Sequence, residues 1–140
     1  MAEVFRVEYR VTWADTYAAG VVHFSRYFLF FERCEEEFCR PLGFSFKDIV
    51  AQGLWFPRVE ASCQYKKPAR FNDLFVVELR VLELKEKSVR YGFTVLNKES
   101  GELLTTGHMM AVVADRKTGR ATAIPKVFVD KLDVYSKQVL

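Results

Sequence analysis

Apolar and polar residues alternate in two parts of the chain, and a helical pattern separates those parts. From Phe5 to Trp13, apolar residues alternate with charged or polar ones. This period of two is typical of a strand with one solvent-facing side. Farther along, the apolar positions recur at helical spacing; they are Phe24, Tyr27, Phe28, Phe31, Cys34 and Phe38. The pattern predicts one helix from Ser25 to Arg40, ending before Pro41 and Gly43.

The period of two returns after Trp55 and predicts four more strands. They cover Val59–Tyr65, Phe75–Val81, Val89–Val95 and Leu103–Val113. The breaks between them are short and rich in turn residues, which favours an antiparallel meander. We expect a turn-rich piece at Ser45–Gln52, and the weakly periodic tail from Pro125 to Leu140 allows a helix. Together these elements predict an α+β fold with the sheet wrapped around the helix, although their order alone admits other α+β folds.

Composition narrows the class of protein. The 140 residues fit a single domain, 1–140, and 50% hydrophobic content with 13 Phe is unlike a disordered chain. A net charge of +3 without a long Lys/Arg run argues against nucleic-acid binding. Cys34, Cys39 and Cys63 are odd in number and lack metal-ligand spacing, so we expect reduced thiols in a cytoplasmic protein. We expect neither a signal peptide nor a membrane span.

The segment WADTYAAGVVHFSRYFLFFE, Trp13 to Glu32, carries the candidate chemistry. It resembles the loop-to-helix signature of the 4-hydroxybenzoyl-CoA thioesterase family, D-x-D-x-x-G-[IV]-V-x-x-x-x-Y. YKKPARFND at Tyr65–Asp73 and IPK at Ile124–Lys126 are similar to two further segments of that family, so the likeness covers nearly the whole chain. The resemblance implies a hot-dog fold and an acyl-CoA thioesterase, with coenzyme A as part of the substrate and no separate cofactor. It also implies a homodimer or homotetramer with active sites at subunit interfaces.

Thioester hydrolysis builds negative charge on the carbonyl oxygen, which free N–H groups at a helix N-terminus can stabilise. The resemblance assigns this oxyanion contact to the N–H of Phe24, and Gly20 allows close backbone approach. Asp15 matches the first Asp of the signature, but the second, the family's usual catalytic carboxylate, corresponds to Tyr17. A tyrosine has a reference pKa of about 10 and is a poor base at neutral pH. Tyr17 is therefore expected to donate a hydrogen bond or contact the substrate.

Three groups are candidates to replace the missing carboxylate: Glu32, His23 and Asp15. A second branch of hot-dog thioesterases uses a helix carboxylate nine residues after a loop histidine, which points to Glu32 with His23. Nine residues at about 100° each leave the two half a turn out of phase. A two-fold dimer could instead bring Glu32 of one subunit to the loop of the other.

Each candidate also has a structural alternative. Glu32 could pair with Arg33 or Arg10, as helix carboxylates often do. His23 could act as a general base or simply bond the backbone at the helix start. Asp15 could stabilise the loop as an Asx residue instead of serving as the catalytic carboxylate.

Basic residues offer contacts for the phosphates of coenzyme A. The resemblance points to the Lys85–Ser88 turn, with Lys85, Lys87, Ser88 and Arg90 as its members, although a solvated turn has the same composition. Lys66, Lys67 and Arg70 form a second basic group with the same ambiguity. His108 lies in mid-strand and is expected to be structural. With two histidines and no ligand-spaced cluster, no metal is predicted.

The sequence thus predicts an acyl-CoA thioesterase that uses the Phe24 N–H for the oxyanion and Glu32, with His23, to activate water. An alternative from another class is an acyl-CoA or acyl-carrier-protein binding protein that has lost efficient catalysis with its second Asp. A third is a hot-dog dehydratase, which the signature favours least. Abundant Phe and Trp favour an aromatic or medium aliphatic acyl group.

Overall fold

The computed structural model describes residues 3–136. Within them, the helices are α1 (Arg26–Cys39), α2 (Phe46–Ala51) and α3 (Lys126–Ser136). The strands are β1 (Phe5–Arg10), β2 (Leu54–Trp55), β3 (Arg58–Tyr65), β4 (Leu74–Leu84), β5 (Ser88–Asn97), β6 (Leu103–Val112) and β7 (Ala114–Asp115). The expected helix in the tail is present as α3, and its continuation beyond Ser136 falls outside the described residues. None of the helices described is both long and apolar enough to cross a bilayer.

Five strands form one antiparallel sheet in the order β1-β4-β5-β6-β3. The hairpins β4-β5 and β5-β6 are in a register that sets Phe93 between Leu79 and Gly107. The first strand in the chain, β1, pairs with β4 at one edge, and β3 pairs with β6 at the other. The short strands β2 and β7 pair separately. The predicted antiparallel meander holds for β4, β5 and β6 but is wrong for β3, which crosses over to pair with β6 at the far edge instead of with β4.

The long helix α1 supplies the centre of the core. Its buried positions recur every three to four residues and so form a broad stripe; they are Tyr27, Phe30, Phe31, Cys34, Glu35, Phe38 and Cys39. The Phe31 ring stacks on Phe93 at 4.4 Å between centroids. At Gly107, an added Cβ would lie 2.6 Å from the Phe31 ring, so only glycine lets the helix approach the sheet this closely.

Two capping arrangements explain where the elements differ from the predictions. The strand β1 stops at Arg10, earlier than predicted, because the Thr12 N–H and hydroxyl both donate to the Asp15 carboxylate at 2.9 Å and start a 3₁₀ turn at 13–15. The predicted turn-rich piece is the helix α2. There Ser45 Oγ accepts from the Asp48 N–H at 3.2 Å, and the Asp48 carboxylate accepts from the Ser45 N–H at 2.9 Å. This capping box starts a helix from a short sequence.

The sheet register separates two ends of the molecule. The start of β4 lies beside the loop that follows β1, because the Val11 N–H donates to the Asp73 carbonyl at 2.8 Å. The strand β4 is 11 residues long, so at about 3.3 Å per residue its far end lies some 33 Å away. The Lys85–Ser88 turn follows that far end. Within one subunit it is therefore remote from the loop that carries the candidate chemistry.

Candidate active site

Asp15 fixes the start of the candidate loop. Its carboxylate, 5% exposed, accepts from Thr12 and also from Arg26 Nη2 at 3.1 Å, while its carbonyl accepts from the His23 N–H at 2.9 Å. Burial opposes ionisation, but the hydrogen bonds from Thr12 and Arg26 outweigh it and lower the pKa of the Asp15 carboxyl. Asp15 thus joins the end of β1 to the start of α1 as an ionised, fully bonded carboxylate.

The loop between Asp15 and α1 is held against the segment after β3. Gly20 adopts φ of +73°, a conformation that favours glycine, and its carbonyl accepts from the Phe71 N–H at 3.0 Å. Two residues on, the Val22 N–H donates to the Ala69 carbonyl at 2.8 Å. The YKKPARFND segment noted in the sequence is therefore a support for this loop.

The N–H of Phe24 is available at the start of α1. Among residues 3–136 it has no hydrogen-bond acceptor, whereas the neighbouring Ser25 N–H donates to His23 Nδ1 at 3.2 Å. The carbonyl of Phe24 accepts from the Tyr65 hydroxyl at 2.8 Å. A free N–H at a helix N-terminus is suited to bind a developing oxyanion.

Phe24 borders a cavity of about 270 Å³. Its walls are mostly aromatic and aliphatic, with two lysines at one side; the lining residues are Tyr17, Val21, Val22, Phe24, Tyr27, Tyr65, Lys66, Lys67 and Pro68. Lys67 forms an ion pair with Glu102 at 2.5 Å, which leaves Lys66 as the lysine of this pair without a carboxylate partner among the described residues. The cavity combines a mostly apolar wall with a lysine and with Phe24, the residue whose N–H is free.

His23 and Tyr17 are brought together beside this cavity. Their rings meet edge to face at 5.4 Å, and the His23 ring also stacks on Phe24 at 4.3 Å. His23 Nδ1 lies 2.8 Å from Ser25 Oγ, while Nε2 contacts no hydrogen-bonding group within the described part of the chain. One ring nitrogen is therefore used at the helix start, and the other is open for proton transfer.

Glu32 lies apart from this group within one subunit. It is eight residues beyond Phe24, about 12 Å along the helix axis, and it does not line the Phe24 cavity. Its side chain is exposed and, among residues 3–136, forms no ion pair with Arg33 or Arg10. Glu32 instead borders two other cavities, one of about 310 Å³ beside Asp15 and Arg26 and one of about 340 Å³.

The 340 Å³ cavity has more apolar lining residues than the 310 Å³ cavity. Its lining also includes Arg58, a charged residue that the sequence analysis did not identify. Besides Glu32, its lining residues are Phe46, Ile49, Val50, Trp55, Phe56 and Arg58. The Arg58 guanidinium donates to both carboxylate oxygens of the fully buried Glu35, at 2.5 and 2.9 Å. The sequence did hold a signal for this pair, because Glu35 falls on the apolar stripe of α1 between Phe31 and Phe38.

Burial and charge act in opposite directions on this pair. Burial raises the pKa of the Glu35 carboxyl, and the Arg58 guanidinium counters that effect. For Arg58, burial favours the neutral form, yet the Glu35 carboxylate raises the pKa of the guanidinium. Arg58 therefore stays charged and holds Glu35 as its partner beneath the apolar cavity.

The predicted phosphate contacts lie at the opposite end of the sheet. Lys85 is 3.4 Å from Glu83, and Lys87 is exposed in the turn. Ser88 is buried as the first residue of β5, where its carbonyl accepts from the Lys85 N–H at 2.9 Å. Arg90 donates to Glu60 at 2.8 Å. Within one subunit, none of these four residues lines the Phe24 cavity.

The comparison with known families decides where the chain belongs. The Thioesterase-like superfamily matches residues 11–132, which include the loop, α1 and four of the five strands of the large sheet, β1 being the exception. The chain belongs to this superfamily. The family and the hot-dog α+β fold predicted from the sequence are both confirmed.

Relatives of this thioesterase-like chain cover nearly its full length. The acyl-CoA thioester hydrolase YbgC of Escherichia coli is 29% identical over 90% of this chain and 93% of its own. The 1,4-dihydroxy-2-naphthoyl-CoA hydrolase of Synechocystis is 27% identical over 81% and 85%. A crystal structure of an Aquifex aeolicus protein superposes with a TM-score of 0.85 at 30% identity, covering 91% and 98%. The predicted enzyme class, a thioester hydrolase, agrees with these relatives.

Proposed function

We propose that this thioesterase-like chain hydrolyses the thioester of an acyl-coenzyme A to a free acid and coenzyme A. The observation that carries the proposal is the Phe24 N–H, which has no acceptor among the described residues and belongs to a residue that lines a mostly apolar cavity just before α1. An N–H in this position can stabilise the oxyanion that forms when a thioester carbonyl is attacked. Two relatives are named as hydrolases of acyl-CoA thioesters, which supports this choice of substrate.

The active site is completed by a second copy of the chain. The strand β3 is a sheet edge with exposed apolar side chains, including Val59 and Tyr65, and such an edge favours pairing with another strand. Antiparallel pairing of two β3 edges about a two-fold axis sets the Tyr65 end of one subunit beside the Arg58 end of the other. The Phe24 cavity lies at the first end and the Glu32 cavity at the second. The unit is therefore a homodimer, alone or doubled into a homotetramer.

The chemistry follows from this arrangement. The thioester carbonyl oxygen accepts from the Phe24 N–H, and Glu32 of the partner subunit removes a proton from a water that attacks the carbonyl carbon. The carbon–sulfur bond then breaks, and the coenzyme A thiolate takes the proton that Glu32 received. His23 Nε2 orients the water, and Tyr17 contacts the substrate at the cavity rim. Asp15 holds the loop in shape and takes no proton.

Pairing through β3 also gives the basic turn a role. The two-fold axis moves the Lys85–Ser88 turn of one subunit toward the loop end of the other, where the phosphates of coenzyme A would emerge. Lys85, Lys87 and Arg90 supply positive charge there, and Ser88 shapes the turn through its backbone. The enzyme needs no further cofactor. Cytoplasmic coenzyme A is the substrate source that suits a protein with three unpaired thiols.

A single-turnover assay tests this function. Purified enzyme in excess over acetyl-, hexanoyl-, benzoyl- and phenylacetyl-coenzyme A should release free coenzyme A thiol in one exponential phase with at least one of these substrates. We assign the acyl group to the Glu32 cavity, which is lined by Trp55, Phe56 and Phe46, so the aryl substrates should react faster than acetyl-coenzyme A. Tight binding of these ligands without thiol release would instead identify a binding protein that lacks catalysis.

A further inference from the structure

Phe24 is tied to a distant strand by one side-chain hydrogen bond. The hydroxyl of Tyr65, the last residue of β3, donates to the Phe24 carbonyl at 2.8 Å across 41 residues of sequence. The bond holds the carbonyl of the same residue whose N–H is unpartnered. The two groups belong to adjacent peptide planes joined at the Phe24 Cα, so restraining the carbonyl limits the rotation of one plane against the other.

The neighbours of Phe24 provide one restraint through the backbone, because the Arg26 N–H donates at 2.9 Å to the His23 carbonyl, which shares a peptide plane with the Phe24 N–H. The Phe24 side chain is 62% exposed, and the His23 and Ser25 side chains bond to each other. An oxyanion donor contributes fully only if its direction is set before the reaction, since otherwise part of the stabilisation is lost in ordering it. The Tyr65 hydroxyl adds a second restraint on the other side of the Phe24 Cα, where it holds the Phe24 carbonyl.

Tyr65 is well suited to the task. Its ring meets the buried ring of Tyr27 edge to face at 5.5 Å, which fixes the side chain against the core. Partial burial, with the neighbouring Cys63 thiol, raises the pKa of Tyr65 to about 12, so the hydroxyl keeps its proton throughout the neutral pH range. The donor is therefore present at every pH at which the enzyme would work.

We propose that Tyr65 is a positioning residue for the oxyanion contact, holding the Phe24 peptide through its hydroxyl without touching the reacting atoms itself. This inference rests on the proposed function. It predicts that loss of the hydroxyl affects the transition state more than ground-state binding. A direct substrate contact by Tyr65 would instead weaken binding of substrate and transition state alike.

The test is Tyr65→Phe, which removes one oxygen and keeps the ring. We expect kcat to fall about tenfold, less than the 10²-fold or more lost when an oxyanion donor is deleted outright. KM should stay within twofold, and the midpoint of thermal unfolding should change little. Tyr135→Phe is the matched control, because Tyr135 packs on Phe38 near the other end of α1. Unchanged kcat in Tyr65→Phe, or a raised KM with kcat intact, would overturn the inference.

A second measurement separates this inference from the proposed function. If wild-type protein releases no thiol from any acyl-coenzyme A, the function fails, and NMR then decides the role of Tyr65 alone. In Tyr65→Phe the ¹³C resonance of the Phe24 carbonyl should shift and the order parameter of the Phe24 N–H should fall, while neither changes in Tyr135→Phe. Unaltered values for Phe24 would mean that the hydroxyl does not hold this peptide.

Discussion

The Arg58 guanidinium donates to both carboxylate oxygens of Glu35. The Glu35 side chain has no exposed surface, whereas the Arg58 side chain is 24% exposed. The two residues join the edge strand β3 to the middle of α1, beneath the apolar cavity that also includes Glu32. The unequal exposure has a consequence for stability. Either partner can be removed, but only Arg58 retains access to water when it is left alone.

We therefore expect Arg58→Met to destabilise the protein by about 3–5 kcal/mol, the range for an uncompensated buried charge. Glu35→Gln should cost clearly less, because the remaining guanidinium can reach solvent. Urea denaturation at one protein concentration measures both. Lys126→Met, which removes an exposed i,i+4 pair with Asp130 on α3, should be nearly neutral. A larger loss in Glu35→Gln than in Arg58→Met would contradict this account.

Glu32→Gln tests the catalytic carboxylate. The change keeps size and hydrogen bonding but removes the charge, so kcat should fall about 10²-fold or more with little change in stability. Glu37→Gln changes another exposed carboxylate on the same helix and should retain wild-type turnover. If Glu32→Gln is fully active and Asp15→Asn is not, the catalytic role passes to Asp15.

The contribution of Asp15 to the free energy of unfolding should decrease as the pH falls. Its folded pKa lies below the ordinary value of 3.8, so the contribution is complete above about pH 5 and is lost as pH falls through the folded pKa. Asp15→Asn should thus lower the free energy of unfolding by about 1 kcal/mol at pH 7, as loss of a cap does. The gap to wild type should narrow between pH 5 and 3.

Denaturation over this pH series should give no such trend for Asp133→Asn, since that residue lies exposed on α3. A gap for Asp15→Asn that widens on acidification would mean that the Asp15 carboxylate is not held ionised by Thr12 and Arg26.

Val59→Lys tests the edge-to-edge dimer. Val59 is 58% exposed on β3, and a lysine there would place a charge where two edges are proposed to pair. Sedimentation at micromolar concentration should show a shift toward monomer, with a parallel loss of turnover. Val127→Lys changes a valine of similar exposure, 54%, on α3 and should leave both unchanged. A Val59→Lys protein that remains an active dimer would place the interface elsewhere.

Lys85→Ala with Lys87→Ala tests the phosphate contact. The two lysines are proposed to bind the phosphates of coenzyme A equally in the ground state and in the transition state. Their loss should therefore raise KM several-fold and leave kcat nearly intact. The effect should shrink at high salt, because exposed charges are screened over about 8 Å at physiological ionic strength. Lys126→Ala with Lys131→Ala removes the same charge from α3. Equal KM values for the two double variants would mean that the turn is only a solvated surface.

Local pattern determined much of this protein before any contact was known. The helix predicted from Ser25 to Arg40 is α1 to within one residue at each end, because its apolar stripe repeats at the helical period whatever the stripe packs against. The motif from Trp13 to Glu32 likewise identified the family, since it specifies a turn, a glycine and a helix start in sequence order. The free N–H of Phe24 follows from that local order.

Tertiary structure alone decided which residues meet. The Glu35–Arg58 pair spans 23 residues and the Tyr65–Phe24 bond spans 41, and no local periodicity encodes such partners. The strand β3 alternates in sequence like its neighbours, yet its place at the sheet edge leaves much of it exposed. The basic turn became remote from Phe24 only through the antiparallel register, which carries it to the other end of the sheet. Sequence patterns fix what each segment can form, whereas strand order and register set the distances between segments.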